Sequence, residues 1–125
     1  MMRFMMMVNS AENQGPPPQE LMDAMDKLVE EATKSGRMLG GGGLAPTATS
    51  KRVRLSRGQV TVIDGPFTEA KEIVGGFAIM EFKSHEEALQ SALGFMELHK
   101  KYWPSWEGVS EIRQIFGPED YPPQP

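Results

Sequence analysis

Residues 76–82 read G-F-A-I-M-E-F, and this short stretch decides the fold. Successive side chains of an extended strand point to opposite faces, so Phe77 and Ile79 share one face and the residues between them point to the other. Both faces are apolar, which predicts a strand that is buried on both sides in the centre of a sheet. Residues 3–8 read R-F-M-M-M-V and have the same property, so we predict a second central strand there.

The segments that follow these two strands have helical periodicity. Apolar residues recur three or four positions apart between Pro18 and Gly36, and proline at the start with glycine at the end is typical of helix boundaries. A second helix is predicted from Ser84, where Glu87 completes a capping box, to the residues before Pro104. Each helix has one apolar stripe, so each can cover part of one face of a sheet.

The remaining strands complete a β-α-β-β-α-β order with an inserted hairpin. A second strand begins at residues 37–39, the hairpin is predicted at residues 51–56 and 59–63, and the last strand at residues 109–116. This order predicts an α+β, ferredoxin-like fold with an antiparallel sheet and two helices on one face. Because the other face of the sheet is also apolar, we predict a sheet-to-sheet homodimer.

Composition places the chain among globular proteins and excludes several function classes. The length of 125 residues suits one domain, which we predict over residues 1–116, followed by a proline-rich tail at residues 117–125. A net charge of −4 argues against a nucleic-acid partner, which requires a basic face. The absence of cysteine excludes disulfides and favours a reducing, cytoplasmic location. The apolar residues 1–8 are too short for a signal peptide or a membrane span.

Two further features of the sequence do not predict a cofactor or a metal. The glycine run at residues 40–43 lacks the Lys-Ser/Thr pair of a phosphate-binding loop and the helix that follows in a dinucleotide fingerprint. The two histidines, His85 and His99, are distant in sequence and have no cysteine to join them, so we expect no metal site. We therefore expect neither a cofactor nor a metal.

Four short motifs resemble those of a known family. They are D-G-P-F-T-E-A-K-E at residues 64–72, G-G-F at 75–77, G-L-A-P-T-A-T at 43–49 and E-I-R at 111–113. With these motifs the chain resembles the YCII-related proteins, in the DGPF-domain branch of the dimeric α-β barrel superfamily. The resemblance runs from Arg3 to about Phe116, and it implies a ferredoxin-like fold and a homodimer. It implies little about chemistry, because most of this branch has no assigned activity.

The better-understood YCII relatives use a catalytic pair that this chain lacks. In those relatives a histidine on the first helix and an aspartate after the second strand look like an acid–base dyad. The histidine position falls on Met25 of this chain and the aspartate position on Pro46. Neither side chain can transfer a proton, so the resemblance does not carry the relatives' activity to this chain.

Two titratable residues are candidates for a catalytic role. Asp64 ends a strand at the stiff Asp-Gly-Pro corner, where it either caps the turn with its carboxylate or stands at the mouth of a cleft. His99 lies on the apolar stripe of the second helix and close to its end, so it is either a packed core residue or a general base. As a base it would require a polar partner, and Asp64 or Glu111 is the acid that we expect within hydrogen-bonding distance.

Five further residues are candidates for contacts with a substrate: Phe67, Glu69, Lys71, Trp103 and Arg113. The charged residues after the corner more often form a solvated surface, although Lys71 can also bind an anionic group. Trp103 can roof an apolar cavity or close a helix–strand joint. Arg113 shares a strand face with Glu111, which also predicts an ordinary salt bridge.

These observations predict a dimeric protein that binds a small molecule in a cleft near the DGPF corner, with possible acid–base chemistry of a lyase or isomerase kind. The alternative is a non-catalytic binding or regulatory protein. Some relatives in this branch are encoded with extracytoplasmic-function sigma factors, so the resemblance gives that alternative a transcription-linked form. A cavity that contains both Asp64 and His99 would favour the first hypothesis.

Overall fold

A computed structural model describes residues 1–67 and 69–121 of the chain; the last four residues of the predicted tail therefore lie outside the described part. The described residues form six strands and two helices. In chain order these are β1 (Met2–Ser10), α1 (Gln19–Lys34), β2 (Met38–Gly43), β3 (Lys51–Ser56), β4 (Gln59–Asp64), β5 (Ile73–Phe82), α2 (His85–Tyr102) and β6 (Gly108–Gln114). Short 3₁₀ turns stand at Thr47–Thr49 and Pro118–Asp120.

Four of the strands form one antiparallel sheet in the order β2-β5-β1-β6. The two strands that were predicted to be central are central, with Phe4 opposite Met80 and Met6 opposite Ala78. This arrangement, with two helices, confirms the α+β, ferredoxin-like fold. The central position of these strands matches the pattern read from the sequence, in which both are apolar on both faces.

Both helices pack on one face of the sheet. The buried cluster there contains Phe4 and Met6 of β1, Phe82 of β5, and Ala88 and Ala92 of α2. The cap predicted for α2 is present, since the Ser84 hydroxyl accepts the Glu87 backbone N–H at 3.1 Å. By strand alternation Met5 and Met7 point to the opposite face, where they are only half-buried.

The hairpin of β3 and β4 forms a separate two-stranded sheet. Val53 pairs with Val62 and Leu55 with Val60, which places the four apolar side chains on one face. The sequence led us to expect that one face of this hairpin meets water. In the structure both faces do, because the four apolar side chains are 64–73% exposed. The hairpin pairs only with itself among the described residues, so nothing in that part of the chain covers it.

The glycine run belongs to β2, the strand that was predicted to begin at residues 37–39. The pairing of β2 with β5 shifts between Met38 and Gly40, and it continues to Gly43 opposite Gly76. Strand β5 is also longer than predicted and begins at Ile73. No helix in the described residues is long and apolar enough to cross a membrane.

Candidate functional site

A cavity of about 680 Å³ lies between the helices and the sheet. Its wall combines residues of β1, β2 and β5 with residues of α1, α2 and the loop between β1 and α1. Most of these side chains are apolar, among them Met6, Met25, Met80 and Phe95. Ligand-binding cavities generally have this size and this apolar character, with a few polar groups that fix the orientation of the ligand.

His99 is the buried titratable side chain of this wall. It lies in the last turn of α2, is 7% exposed, and its Nδ1 is 3.0 Å from the backbone oxygen of Phe95. A carbonyl oxygen only accepts hydrogen bonds, so Nδ1 carries the proton and donates. In the neutral ring Nε2 is then the nitrogen with the lone pair, and among the described residues it has no hydrogen-bond partner.

The acid that we expected beside His99 is therefore replaced by a backbone carbonyl. Neither Asp64 nor Glu111 is bonded to the ring in the described structure; the bond to Phe95 comes from the residue four positions earlier on the same helix. The contact fixes the tautomer of the ring, which an acid would also have done. It does so without a negative charge at Nδ1.

Aromatic rings surround the imidazole. Phe95 lies 4.7 Å from it and Trp106 lies 4.5 Å from it, as measured between ring centroids, and Trp103 stacks on Trp106 at 6.1 Å. The position of Trp106 depends on Gly108, because a Cβ atom there would stand 2.2 Å from the indole ring. Trp103 ends α2, and its N–H donates to the His99 carbonyl at 2.7 Å. All four aromatic residues line the cavity.

A second polar group of the wall, Glu12, was not predicted from the sequence. It lies in the loop after β1, and its carboxylate accepts both the hydroxyl and the backbone N–H of Thr47, the latter at 2.8 Å. Thr47 is 5% exposed, and its hydroxyl oxygen accepts the N–H of Phe67 at 3.3 Å. Glu12, Thr47 and Phe67 thus connect the cavity wall to the DGPF corner.

These contacts shift the protonation of Glu12. The Thr47 hydroxyl, and then the Thr47 backbone N–H, lower the pKa of the Glu12 carboxyl below its ordinary value of about 4.5. Both donors stabilise the ionised form, and slight desolvation opposes them. Glu12 therefore stays negatively charged at neutral pH and below.

We predict that replacing Thr47 with valine makes the chain less stable, and more so at neutral than at acidic pH. Valine keeps the shape but removes the hydroxyl, which leaves the Phe67 N–H without its partner and costs about 1–3 kcal/mol. The contribution of Glu12 is present above its unfolded pKa and is lost as pH falls through its lowered folded value. Urea unfolding of wild type and Thr47→Val should therefore differ less near pH 3 than at pH 7.

Thr49→Val is the matched control for that measurement. Its hydroxyl donates only to the Pro46 carbonyl at 3.3 Å and is exposed, so its loss should have a small effect that does not change with pH. Equal destabilisation by Thr47→Val at both pH values would contradict the link between Thr47 and the Glu12 carboxylate.

Asp64 lies outside the cavity wall. Its side chain is exposed, and its Oδ1 accepts a hydrogen bond from the Lys51 ammonium group at 2.5 Å. It caps no backbone N–H in the described residues, so the corner is held by other contacts. The Gly65 N–H donates to the Ser50 carbonyl at 2.8 Å, and the bond between Gly65 and Pro66 is cis.

The five predicted contact residues are divided between two regions. Trp103 lines the cavity, whereas Phe67, Glu69, Lys71 and Arg113 are not part of its described wall. Phe67 is buried beneath the Arg52 guanidinium group, which lies 3.9 Å from its ring centroid. Glu69 pairs with that same guanidinium group at 3.5 Å, and Lys71 is exposed.

Arg113 belongs to the face of the sheet without helices. It is opposite Met5 in the pairing of β1 with β6, and its Nε is 3.9 Å from a Glu111 oxygen. The structure thus brings His99 and Trp103 together in one cavity and places the remaining predicted site residues elsewhere. Sequence reasoning missed Glu12 and Thr47. The only available signal was the G-L-A-P-T-A-T motif at residues 43–49, which contains Thr47.

Comparison with known proteins gives the family. Residues 2–97 match the YCII-related domain, which is most of the chain. The chain belongs to the YCII-related family. This confirms the resemblance inferred from the motifs around the DGPF corner. A relative in Rhizobium meliloti (strain 1021), described as an uncharacterised protein, is 37% identical over 71 residues. That match covers 57% of this chain and 55% of the relative, so the chain spans about half the length of the relative it matches.

The positions of the missing dyad lie on the cavity wall of this YCII-related chain. Met25 of α1 and Pro46, just before the 3₁₀ turn, both line the cavity, as His99 does. The residues that the resemblance aligns with an acid–base pair are thus apolar here. The polar groups of the cavity stand at other places in the sequence.

Proposed function

We propose that this YCII-related protein binds a small, largely apolar molecule in the cavity between its helices and its sheet, and that Nε2 of His99 accepts a hydrogen bond or a proton from that molecule. The observation that carries the proposal is the state of His99. Its ring is buried on the wall of a cavity of about 680 Å³, with Nδ1 already bonded and Nε2 unpaired among the described residues.

A ring nitrogen without a partner in the protein can bond to a ligand or to water. The fixed tautomer leaves Nε2 as the remaining acceptor of a ring that lines the cavity. Imidazole is also the commonest general base in enzymes, so proton abstraction from a bound molecule is the chemistry that this nitrogen can perform. The DGPF corner contacts the cavity wall indirectly: the Phe67 N–H donates to Thr47, and Thr47 donates to Glu12 of the wall.

We predict that a ligand that fills the cavity changes the environment of His99 and of both tryptophans. Trp103 and Trp106 are the two tryptophans of the chain, and both line the cavity. A thermal-shift screen would supply candidate molecules. Each hit should then change the tryptophan fluorescence and shift the ¹⁵N resonance of His99 Nε2, which should start in the tautomer with the proton on Nδ1.

His85 is an internal control for the resonance measurement. It begins α2, contacts Phe4 edge-on at 5.1 Å between ring centroids, and is exposed. A ligand in the cavity should leave its resonances unchanged. Hits that stabilise the protein but shift His85 instead of His99, or that leave both tryptophans unaffected, would contradict the proposed site.

A non-catalytic binding or regulatory role is the second candidate function. It is favoured by Met25 and Pro46, which replace the proton-transferring pair of better-understood relatives with side chains that cannot titrate. In this form the cavity recognises a molecule without converting it, as a sensor in a transcription-linked system would. Conversion of a bound hit, lost in His99→Asn while binding persists, would favour the catalytic form; binding without conversion would favour the regulatory one.

We also propose that the open face of the sheet forms a symmetric homodimer. Met5, Met7 and Phe77 line that face, and no helix of the described chain covers it. Asn9 supports the proposal, because its Oδ1 is buried without a partner among the described residues. We expect a particle of twice the chain mass of 13.9 kDa in sedimentation at micromolar concentration, with an interface of about 2,000 Å² or more.

Met7→Glu should convert that dimer to monomer, because two additional carboxylates would meet across the interface. Leu93→Glu is the matched control. Leu93 is 49% exposed on α2, on the face of the sheet that the helices cover. The Leu93→Glu variant adds the same charge there and should remain dimeric. A wild-type chain that sediments as a monomer would contradict the proposal.

A further inference from the structure

The charged groups on the cavity wall are all acidic. Glu12 of the loop after β1 and Asp26 of α1 contribute carboxylates, and the described wall contains neither lysine nor arginine. Two basic residues of the hairpin pair with other carboxylates, Lys51 with Asp64 and Arg52 with Glu69. An anionic ligand would therefore meet repulsion at the cavity, and a cationic ligand would meet attraction.

Glu12 and His99 offer acceptors in the cavity, and the hydroxyls of Ser10, Ser91 and Ser110 can accept or donate. Glu12 has carboxylate lone pairs beyond the two that Thr47 occupies. His99, more than nine-tenths buried, presents an unpartnered Nε2 that accepts in the neutral ring. The amide of Gln14 also lines the cavity, but its atoms are bonded to the backbone of Ala11 and Glu107. A ligand that donates several hydrogen bonds fits these groups best.

The aromatic part of the wall favours the same ligand. Phe95, Trp103 and Trp106 stand around His99, and the faces of such rings attract an ammonium group that approaches within about 6 Å. An ammonium group has three donors and no acceptor, and its positive charge is attracted by the two carboxylates.

We propose that the ligand of this cavity is an amphipathic amine, an apolar body that carries a protonated amino group. This inference rests on the proposed function, since it names the chemical class of the molecule that the cavity binds. Carboxylates, phosphates and sulfates of the same size are disfavoured by the two exposed carboxylates on the wall and by the absence of a basic side chain from its described part.

A matched set of three probes tests the class: phenylbutylamine, phenylbutanol and phenylbutyrate share one apolar body and differ in the charge of the end group. Their affinities for the full chain can be measured by titration of the tryptophan fluorescence. We expect the amine to bind most tightly and the acid most weakly. The preference for the amine over the alcohol should decrease as ionic strength increases.

The double variant Glu12→Gln/Asp26→Asn should weaken binding of the amine relative to that of the alcohol by about three- to tenfold, as the loss of two exposed charge pairs predicts. Glu31→Gln/Glu97→Gln is the control. It removes the same charge from exposed helix positions outside the cavity wall and should not change the order of the probes. If both double variants lower the affinity for the amine equally, the acidic surface in general attracts it and these two carboxylates have no special part. That result would overturn the proposal.

The outcomes also separate this proposal from the proposed function. If the alcohol or the acid binds as tightly as the amine and the tryptophans respond, the cavity binds small molecules but the amine class is wrong. If none of the probes changes the tryptophan fluorescence at millimolar concentration, both proposals are overturned.

Discussion

Replacing Gly65 with alanine is expected to lower the free energy of unfolding by about 3 kcal/mol or more and the melting temperature by about 10 °C. Gly65 follows the last residue of β4 and lies directly against the 3₁₀ turn at Thr47–Thr49. A Cβ atom at Gly65 would stand 1.7 Å from the Thr47 carbonyl oxygen and 2.8 Å from its carbonyl carbon. These are backbone atoms, so no side-chain rotation relieves the overlap.

The overlap also has consequences for the cavity. Thr47 can move away only by weakening its bonds to Glu12 and Phe67, which connect the cavity wall to the DGPF corner. We therefore expect the destabilised variant to lose ligand binding as well as stability. In the DGPF motif the glycine is required because any side chain there would overlap the Thr47 backbone, whereas the adjacent aspartate is exposed.

Gly94→Ala is the matched control for that variant. Gly94 lies within α2, and a Cβ atom there meets nothing within 4 Å, so alanine should stabilise the chain by about 0.5–1 kcal/mol. Guanidinium unfolding followed by circular dichroism gives both values. A Gly65→Ala variant within about 0.5 kcal/mol of wild type would show that the corner does not require this contact.

The second large effect is expected at Gly41 of β2, where alanine should cost about 2–3 kcal/mol. Gly41 has a φ of +152°, a conformation that residues with a side chain rarely adopt. A Cβ atom there would also stand 2.5 Å from the Phe77 oxygen and 2.9 Å from the Ala78 Cα of β5. Strain and overlap therefore add at one position, next to the register shift between β2 and β5.

Gly42 provides a control one residue away. It belongs to the same strand, has no unusual φ, and a Cβ atom there meets nothing within 4 Å. We expect Gly42→Ala to change the free energy of unfolding by less than about 0.5 kcal/mol. Equal effects at Gly41 and Gly42 in denaturant unfolding would contradict the assignment of the glycine run to strand pairing.

The sequence predicted those parts of the structure that depend on local pattern. Continuous apolar runs, apolar on both strand faces, identified β1 and β5 as central strands, and helical spacing located α1 and α2. Motifs at the DGPF corner were sufficient for the family. Each of these signals lies within about twenty residues of chain, so the local sequence pattern reflects burial and backbone preference directly.

The candidate site was only partly predictable. The sequence left His99 as either a packed core residue or a general base, and the structure places it, buried, on the wall of the cavity. It did not indicate the partner of His99, because the Phe95 carbonyl has no side-chain signature. It left Asp64 as either a turn cap or a residue at the mouth of a cleft, because a motif does not show which way a carboxylate points.

The sequence alone thus determined the sequence of strands and helices, the two central strands of the sheet and the family of this protein, because each follows from periodicity or from a contiguous motif. Only the tertiary structure decided the chemistry of the cavity. Glu12 meets Thr47 across 35 positions of sequence, and Thr47 meets Phe67 across 20. Such contacts depend on strand register and on the path of the loops. These bring together residues that no local sequence pattern connects.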